Sequence, residues 1–435
     1  MPLIAKIGLC VCYHPFEENA ENASEIFENS VKHLKGFQDF NIIKAPQLIN
    51  DIHSGKAVGQ YFRKEEVDVI CVKLATWSSD NPILDMMSEC DVPFIFWTYS
   101  HLHAGSLCGG QQFNMVFKEL GKQCIFIYGS SKESLEKIKC YCRAVALQNR
   151  LKKLRLLKVG NRTQGMSEVI CDEFSVKEIL GPRIIAVDLD SYKEVMKKIS
   201  NEAVLAQWES IKERINTINV TDEDGLRALR NYLTMKNLIE TGDIEGVTVE
   251  CYPRYMGEVC LGFSLLADEG IPGACEGDIN ALILMFILTK LSKMPVHHID
   301  PLFFDEKENT LLGSHCGCGS CELAESKELI SLENVRLANK GVCVLFPSKP
   351  GKVTMANLVG RKGTYRLTAM ETEAIPTEMS FPGNPIKIQL PVKINDFLEI
   401  VEECALGHHW VIAYGHYMDE LRALANLLKI DFVQI

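Results

Sequence analysis

An apolar run of 13 residues, Ile279 to Leu291, constrains this chain most. It is too short to cross a bilayer and about right for a buried helix. A turn of Gly270, Pro272 and Gly273 precedes it, the carboxylates Glu276 and Asp278 stand at its start, and a short β-like segment ending on Asp300 follows. Strand end, helix, strand end is the pattern of a right-handed βαβ crossover, which brings two parallel strand ends to one edge of a sheet. Open α/β sheets bind ligands at that carboxyl edge. Glu276 and Asp300, 24 positions apart, are therefore expected one or two strand spacings from each other, about 5 to 10 Å. At that distance they can hold a divalent cation or share proton transfer.

The flanking chain has the texture such a crossover needs. Over the first 150 or so residues, strand-like runs (Ile4 to Val11, Val67 to Val72, Val92 to Trp97, Gln123 to Ile127) alternate with helical spacing. That alternation predicts a doubly wound parallel sheet. A second α/β series begins at Leu154 to Val159 and includes Arg183 to Asp188 and Val247 to Cys251. From about Lys340, short β-rich segments (GVCVLF, KVTMANLV, TYRLTAMET, IKIQLPV) between Gly and Pro turns predict a small antiparallel barrel. The expected organisation is two Rossmann-like α/β domains, residues 1–152 and 153–338, followed by a β-barrel-like domain, residues 339–435.

Bulk properties exclude several function classes. At 435 residues the chain exceeds one ordinary core. A net charge of -11 argues against a general nucleic-acid binder. No apolar run reaches membrane-spanning length, and MPLIAKIGLCVCYHPF lacks the pattern of a signal peptide. With 17 cysteines and no export signal, reduced thiols and a cytoplasmic location are expected.

Each candidate site residue has a plain structural alternative. Glu276 is equally explained as a carboxylate favoured by a helix N-terminus, and Asp300 as a turn residue before Pro301. Their joint placement raises the functional reading. His315 opens HCGCGSC, but with no second CxxC a structural zinc site there lacks its other ligand pair. His408 and His409 precede the strand-like WVIAYGH, and adjacent strand residues face opposite ways, so one of the two is expected at any given site. His101, His103 and the GGQQ turn, Gly109 to Gln112, follow a strand where ligand-binding loops belong, although GGQQ is no phosphate-binding fingerprint. Trp77 and Trp97 end strands and offer either an apolar wall for a sugar or ordinary core packing.

At ACEGDINALILMFILTKLSKMPVHHID and LGHHWVIAYGHYMDELRALANLLKI, the chain resembles the L-fucose/L-arabinose isomerase family, most closely over Cys251 to Cys316 and from Gly407 onward. The resemblance implies a metal-dependent aldose–ketose isomerase acting on a pentose or (deoxy)hexose through a cis-enediol. Glu276 and Asp300 match the acids that bind manganese and move the proton, and His409 matches the metal-binding histidine near the C-terminus. His315 resembles a further histidine ligand of the arabinose branch, and the residue before the metal histidine, His408 here, also follows that branch. Substrate contacts are expected from His14, Trp77, His103, Gln111 and His408. The expected metal is Mn²⁺, replaceable by Co²⁺ or Mg²⁺, since carboxylate and imidazole donors suit it better than thiophilic ions. The resemblance also implies a homo-oligomer, hexamer or trimer, with sites shared between subunits, and neither a nucleic-acid nor a membrane partner. The alternative from architecture alone is a non-catalytic sugar-binding protein of two α/β domains.

Overall fold

The computed structural model describes residues 3–435. It divides into two compact units, one formed by the chain up to Arg150 with Arg422–Leu427, the other by Leu151–Leu421 with Leu428–Ile435. Among the described residues no helix is long and apolar enough to cross a membrane.

The first unit is built on five parallel strands, β1 (Ala5–Cys12), β2 (Phe40–Lys44), β3 (Val69–Leu74), β4 (Phe94–Thr98) and β5 (Cys124–Tyr128), in the order β2-β1-β3-β4-β5. Every residue of β3 and β4 is buried, as their unbroken apolar runs require of strands covered by helices on both faces. Strand order reverses between β1 and β3, the position at which such sheets bind ligands. The GGQQ segment is not a turn. It lies inside the helix Ser106–Glu119, where a Cβ on Gly110 would stand 2.3 Å from Thr98 Cγ2 and 2.5 Å from the Phe126 ring. Close helix–sheet contact explains this glycine. Trp97 takes the packing alternative: it is fully buried and its Nε1–H donates to the Gly129 carbonyl at 2.6 Å.

The second unit holds three sheets. A parallel sheet runs in the order β10-β9-β6-β7, from β6 (Arg155–Val159), β7 (Arg183–Val187), β9 (Val247–Val249) and β10 (Gly273–Ala274). A three-stranded sheet joins β8 (Thr217–Ile218) to the hairpin of β13 (Ser331–Val335) and β14 (Lys340–Leu345). The third is a seven-stranded mixed sheet in the order β15-β18-β11-β12-β17-β16-β19. Its strands are β11 (His297–Asp305), β12 (Thr310–Ser314), β15 (Gly351–Arg361), β16 (Thr364–Ile375), β17 (Ile386–Gln389), β18 (Trp410–Tyr414) and β19 (Asp431–Gln434). What was expected as an antiparallel barrel is thus a mixed sheet, because β19 joins β16 in parallel while the other pairings are antiparallel. The strand β15 pairs with β16 as well as with β18.

The apolar run forms the helix Ile279–Ser292, with 12 of its 14 residues buried. The crossover reading fails at its far end. The strand before the helix, β10, belongs to the parallel sheet, whereas β11 after it pairs antiparallel with β12 and β18 in the mixed sheet. The helix lies between two sheets, which is why it is apolar on every side. Nor does Asp300 end a strand. It sits within β11, opposite Ser314 and beside a bulge at Pro301–Phe303, a place where bulges commonly re-aim a side chain.

Candidate active site

The carboxylate end of the helix is held by its backbone. After β10, Glu276 and Gly277 both adopt left-handed conformations, with φ of 67° and 75°. A Cβ on Gly277 would meet the Asn161 carbonyl at 2.3 Å, so only glycine fits that approach. Glu276 lacks that freedom and is restrained by its neighbours. Its N–H donates to Cys251 Sγ at 3.3 Å, and its carbonyl accepts the Thr163 N–H at 3.0 Å. A non-glycine residue in this region stores on the order of 1–3 kcal/mol, a cost often found at functional sites.

Asp278 has two roles. One oxygen caps the helix by accepting the Ala281 N–H at 3.0 Å, and the other lies 2.8 Å from His409 Nδ1. His409 Nε2 in turn lies 3.0 Å from Glu276 Oε2 and 3.9 Å from Asp300 Oδ1. One imidazole nitrogen therefore reaches both acids singled out from the sequence. Asn357 on β15 holds this segment by donating its side-chain amide to the Gly407 and His409 carbonyls at 3.1 and 2.6 Å. Burial opposes a charge on His409, but the bonds to Asp278 and Glu276 outweigh it and hold the imidazole up at about 10. Burial also raises Glu276, yet its bond to His409 leaves the carboxyl below the ordinary value.

His315 follows β12 directly, and its Nε2 stands 3.8 Å from Asp300 Oδ2. Burial lowers its pKa, but the Asp300 charge more than reverses this, so the imidazole is raised well above its usual range. His408 and His409 do not alternate. Both precede β18 rather than belonging to it, so the strand rule does not govern them, and their rings lie 4.1 Å apart. His408 places Nδ1 2.6 Å from Glu168 Oε1 and Nε2 3.9 Å from Asp300 Oδ1. Side-chain exposure rises from 5% at His409 and 10% at Glu276 to 30% at Asp300 and 37% at His408. The cluster thus opens to solvent on the Asp300–His408 side.

Glu276, Asp300, His315, His408 and His409 are therefore brought together. Their donor atoms form two groups of three within 4.8 Å, Glu276–His315–His409 and Asp300–His408–His409. Asp300 Oδ1 and both nitrogens of His315 are buried without a hydrogen-bond partner among the described residues. Convergent carboxylate and imidazole donors of this kind fit a hard or borderline divalent cation.

The other candidates lie in the first unit. His14, just past β1, donates its N–H to Thr76 Oγ1 at 2.9 Å, and its ring lies 5.7 Å from that of Trp77. Half-buried Trp77 donates to Gln112 Oε1 at 3.0 Å, while Gln111 and His103 are exposed, the latter 3.9 Å from Glu18. Three residues of the cluster escaped the sequence reading: Asp278 as the partner of His409, Glu168, and His298, whose ring packs 4.8 Å from His315 and 4.5 Å from His409. His298 carried a usable signal, since it stands two residues before Asp300 on one strand and so faces the same way. Glu168 carried none.

No family model matches the chain. Among curated proteins it is similar to the sulfoquinovose isomerase of Priestia megaterium, 22% identical over 423 residues that cover 94% of each chain. It is 24% identical to the sulfoquinovose isomerase of a Clostridium species over 390 residues, 84% of this chain and 87% of the relative. The L-arabinose isomerase of Aeromonas hydrophila is 22% identical over 347 residues, 75% of this chain and 70% of the relative. Among solved structures, a Clostridium difficile substrate-binding protein aligns with 62% of this chain and 74% of its own at 14% identity, with a TM-score of 0.19, too low to establish a shared fold.

Proposed function

We propose that the chain is a metal-dependent aldose–ketose isomerase; relatives similar to it over most of its length are named sulfoquinovose isomerase and L-arabinose isomerase. The observation that carries this reading is the placement of Glu276 and Asp300 around His409 Nε2, at 3.0 and 3.9 Å. Glu276, Asp300, His409 and His315 would hold the cation, taken as Mn²⁺ with Co²⁺ or Mg²⁺ as substitutes. When bound, it supplies Lewis-acid polarisation of two neighbouring sugar oxygens. The chain's own residues account for the rest. A carboxylate removes the C2 proton of the open-chain aldose, leaving a cis-enediol, and returns that proton to C1, while a second proton passes between O2 and O1. Asp300 is suited to the transfer because its Oδ1 makes no hydrogen bond among the described residues and the side chain is 30% exposed. Glu276 is more deeply set and bonded to His409, which suits it to holding the cation and completing the shuttle. Asp278 fixes the His409 ring through Nδ1, the kind of support that orients metal-binding histidines.

His408, on the open side, is taken as a substrate contact. His14, Trp77, His103 and Gln111 are proposed to complete the site from a neighbouring copy in a cytoplasmic homo-oligomer, hexamer or trimer. The C-terminal β-rich segment, with its barrel-like pairing of β15 to β16, contributes His409. The substrate is a pentose or hexose-type aldose, with sulfoquinovose among the candidates. An aldose panel of L-arabinose, L-fucose and sulfoquinovose, assayed for ketose after chelation and again with added Mn²⁺, tests the reading. Ketose formed from one aldose only when metal is restored is the expected result. Failure on every aldose at saturating Mn²⁺ would leave the sugar-binding alternative.

A further inference from the structure

We propose that Cys275, Cys318, His298 and His315 form a second metal site, behind the carboxylate cluster, for a thiophilic divalent cation of the zinc class. Taken alone, HCGCGSC lacks a second ligand pair, and the fold supplies one. Cys275 leaves β10 next to Glu276, His298 comes from β11, and His315 and Cys318 come from the loop after β12, where Gly317 turns the chain at φ 90°. The Sγ atoms of Cys275 and Cys318 lie 3.7 Å apart. A tetrahedral ion with Zn–S bonds of about 2.3 Å sets its two sulfurs about 3.8 Å apart. Donor atoms of Cys275, His298 and His315 lie within 4.8 Å of one another, and closing them onto one ion asks about 1 Å of side-chain movement.

The strongest indication is what these groups lack. Both nitrogens of His298 and both of His315 are buried without a hydrogen-bond partner among the described residues. A buried polar group in that condition costs on the order of 1–3 kcal/mol unless something satisfies it. Cys251 is a third thiol nearby, but its sulfur already accepts the Glu276 N–H at 3.3 Å, which favours Cys318 as the second sulfur ligand. Binding requires both sulfurs as thiolates and both imidazoles unprotonated at the ligating nitrogen, so every proton these atoms hold passes to solvent. His315 belongs to both donor groups, and to serve both sites at once it would bind one ion through each nitrogen as an imidazolate, its remaining N–H proton released to solvent.

The test uses the full-length protein, reduced and chelator-treated, then given excess Mn²⁺ to fill the carboxylate site and one equivalent of Co²⁺ in place of Zn²⁺. The expected result is a thiolate-to-cobalt charge-transfer band, weakened at least tenfold in Cys318→Ser and in His298→Gln and retained in Cys321→Ser, each checked for folding by circular dichroism. Elemental analysis after gel filtration should find about one zinc per chain. This readout is independent of turnover, so it stands or falls apart from the isomerase assignment. A wild-type protein without the band overturns the proposal, and so does a band that survives both Cys275→Ser and Cys318→Ser. Because the wild-type spectrum decides whether sulfur is a ligand at all, a variant that fails to fold does not leave the question open.

Discussion

Asp278 combines two jobs that a single substitution can separate. Asparagine caps a helix about as well as aspartate, so Asp278→Asn should keep the Ala281 bond and cost little stability. It loses the carboxylate facing His409 Nδ1, and removing a partner of this kind typically lowers metal affinity about 10- to 100-fold. Calorimetric Mn²⁺ titration alongside a urea melt reads both effects, and equal affinity to wild type would show that the His409 contact is incidental. Glu276→Gln and Asp300→Asn are expected to lower turnover by at least about 10²- to 10⁴-fold, the range for loss of an acid–base group, with circular dichroism unchanged. Near-normal kcat in either variant would remove that acid from the mechanism. His408→Ala should raise KM while leaving metal content unchanged, because its side chain, 37% exposed, lies on the open side of the cluster where the substrate is proposed to enter. The two histidines were expected to face opposite ways. They do not, since both precede β18 and the pleat does not orient them.

Glycines in the helix Ser106–Glu119 give a paired test of how tightly an element packs. Gly110→Ala would drive a Cβ to 2.3 Å from Thr98 and 2.5 Å from Phe126, and overpacking of this kind usually costs about 1–3 kcal/mol. One residue earlier, Gly109→Ala meets nothing closer than 3.4 Å and should be neutral or stabilising by up to about 1 kcal/mol, the helix-propensity difference. Urea denaturation of the two variants should therefore shift in opposite directions or differ by more than about 1 kcal/mol. Equal midpoints would mean that the helix can move away from β4 and β5. The same comparison explains why GGQQ misleads as sequence. Paired glycines signal turns in general, but here they permit close approach of a helix to a sheet.

For the molecule as a whole, Lys73 sets a pH dependence. It is 2% exposed within β3, its Nζ donates to the Thr98 carbonyl at 2.9 Å, and it lies 4.0 Å from the Trp97 ring centre. Burial pushes the ammonium down to about 7, the ring and carbonyl notwithstanding. Between pH 7 and about 10.5 the unfolded chain therefore binds more protons at this residue than the folded one, so stability rises with pH across that window. Relative to Lys73→Met, wild type should gain on the order of a few kcal/mol from pH 7 to pH 10; parallel stability curves would show that folding does not lower the pKa of this amine. Much of this architecture was legible in the sequence. Unbroken apolar runs marked β3 and β4, and the length of the run after Glu276 marked a buried helix, whereas the crossover expected to pair Glu276 with Asp300 is not formed. These are local properties, because periodicity and run length report how much of a segment is covered. Tertiary structure alone decided which sheet covers it. Membership of β11 in the mixed sheet depends on hydrogen bonds to Trp410–Ile412, more than a hundred residues away in the chain. The same long-range pairing delivers His409 to Asp278 and Glu276, and sets His298 and Cys275 beside His315, contacts that no repeat of two or 3.6 residues encodes.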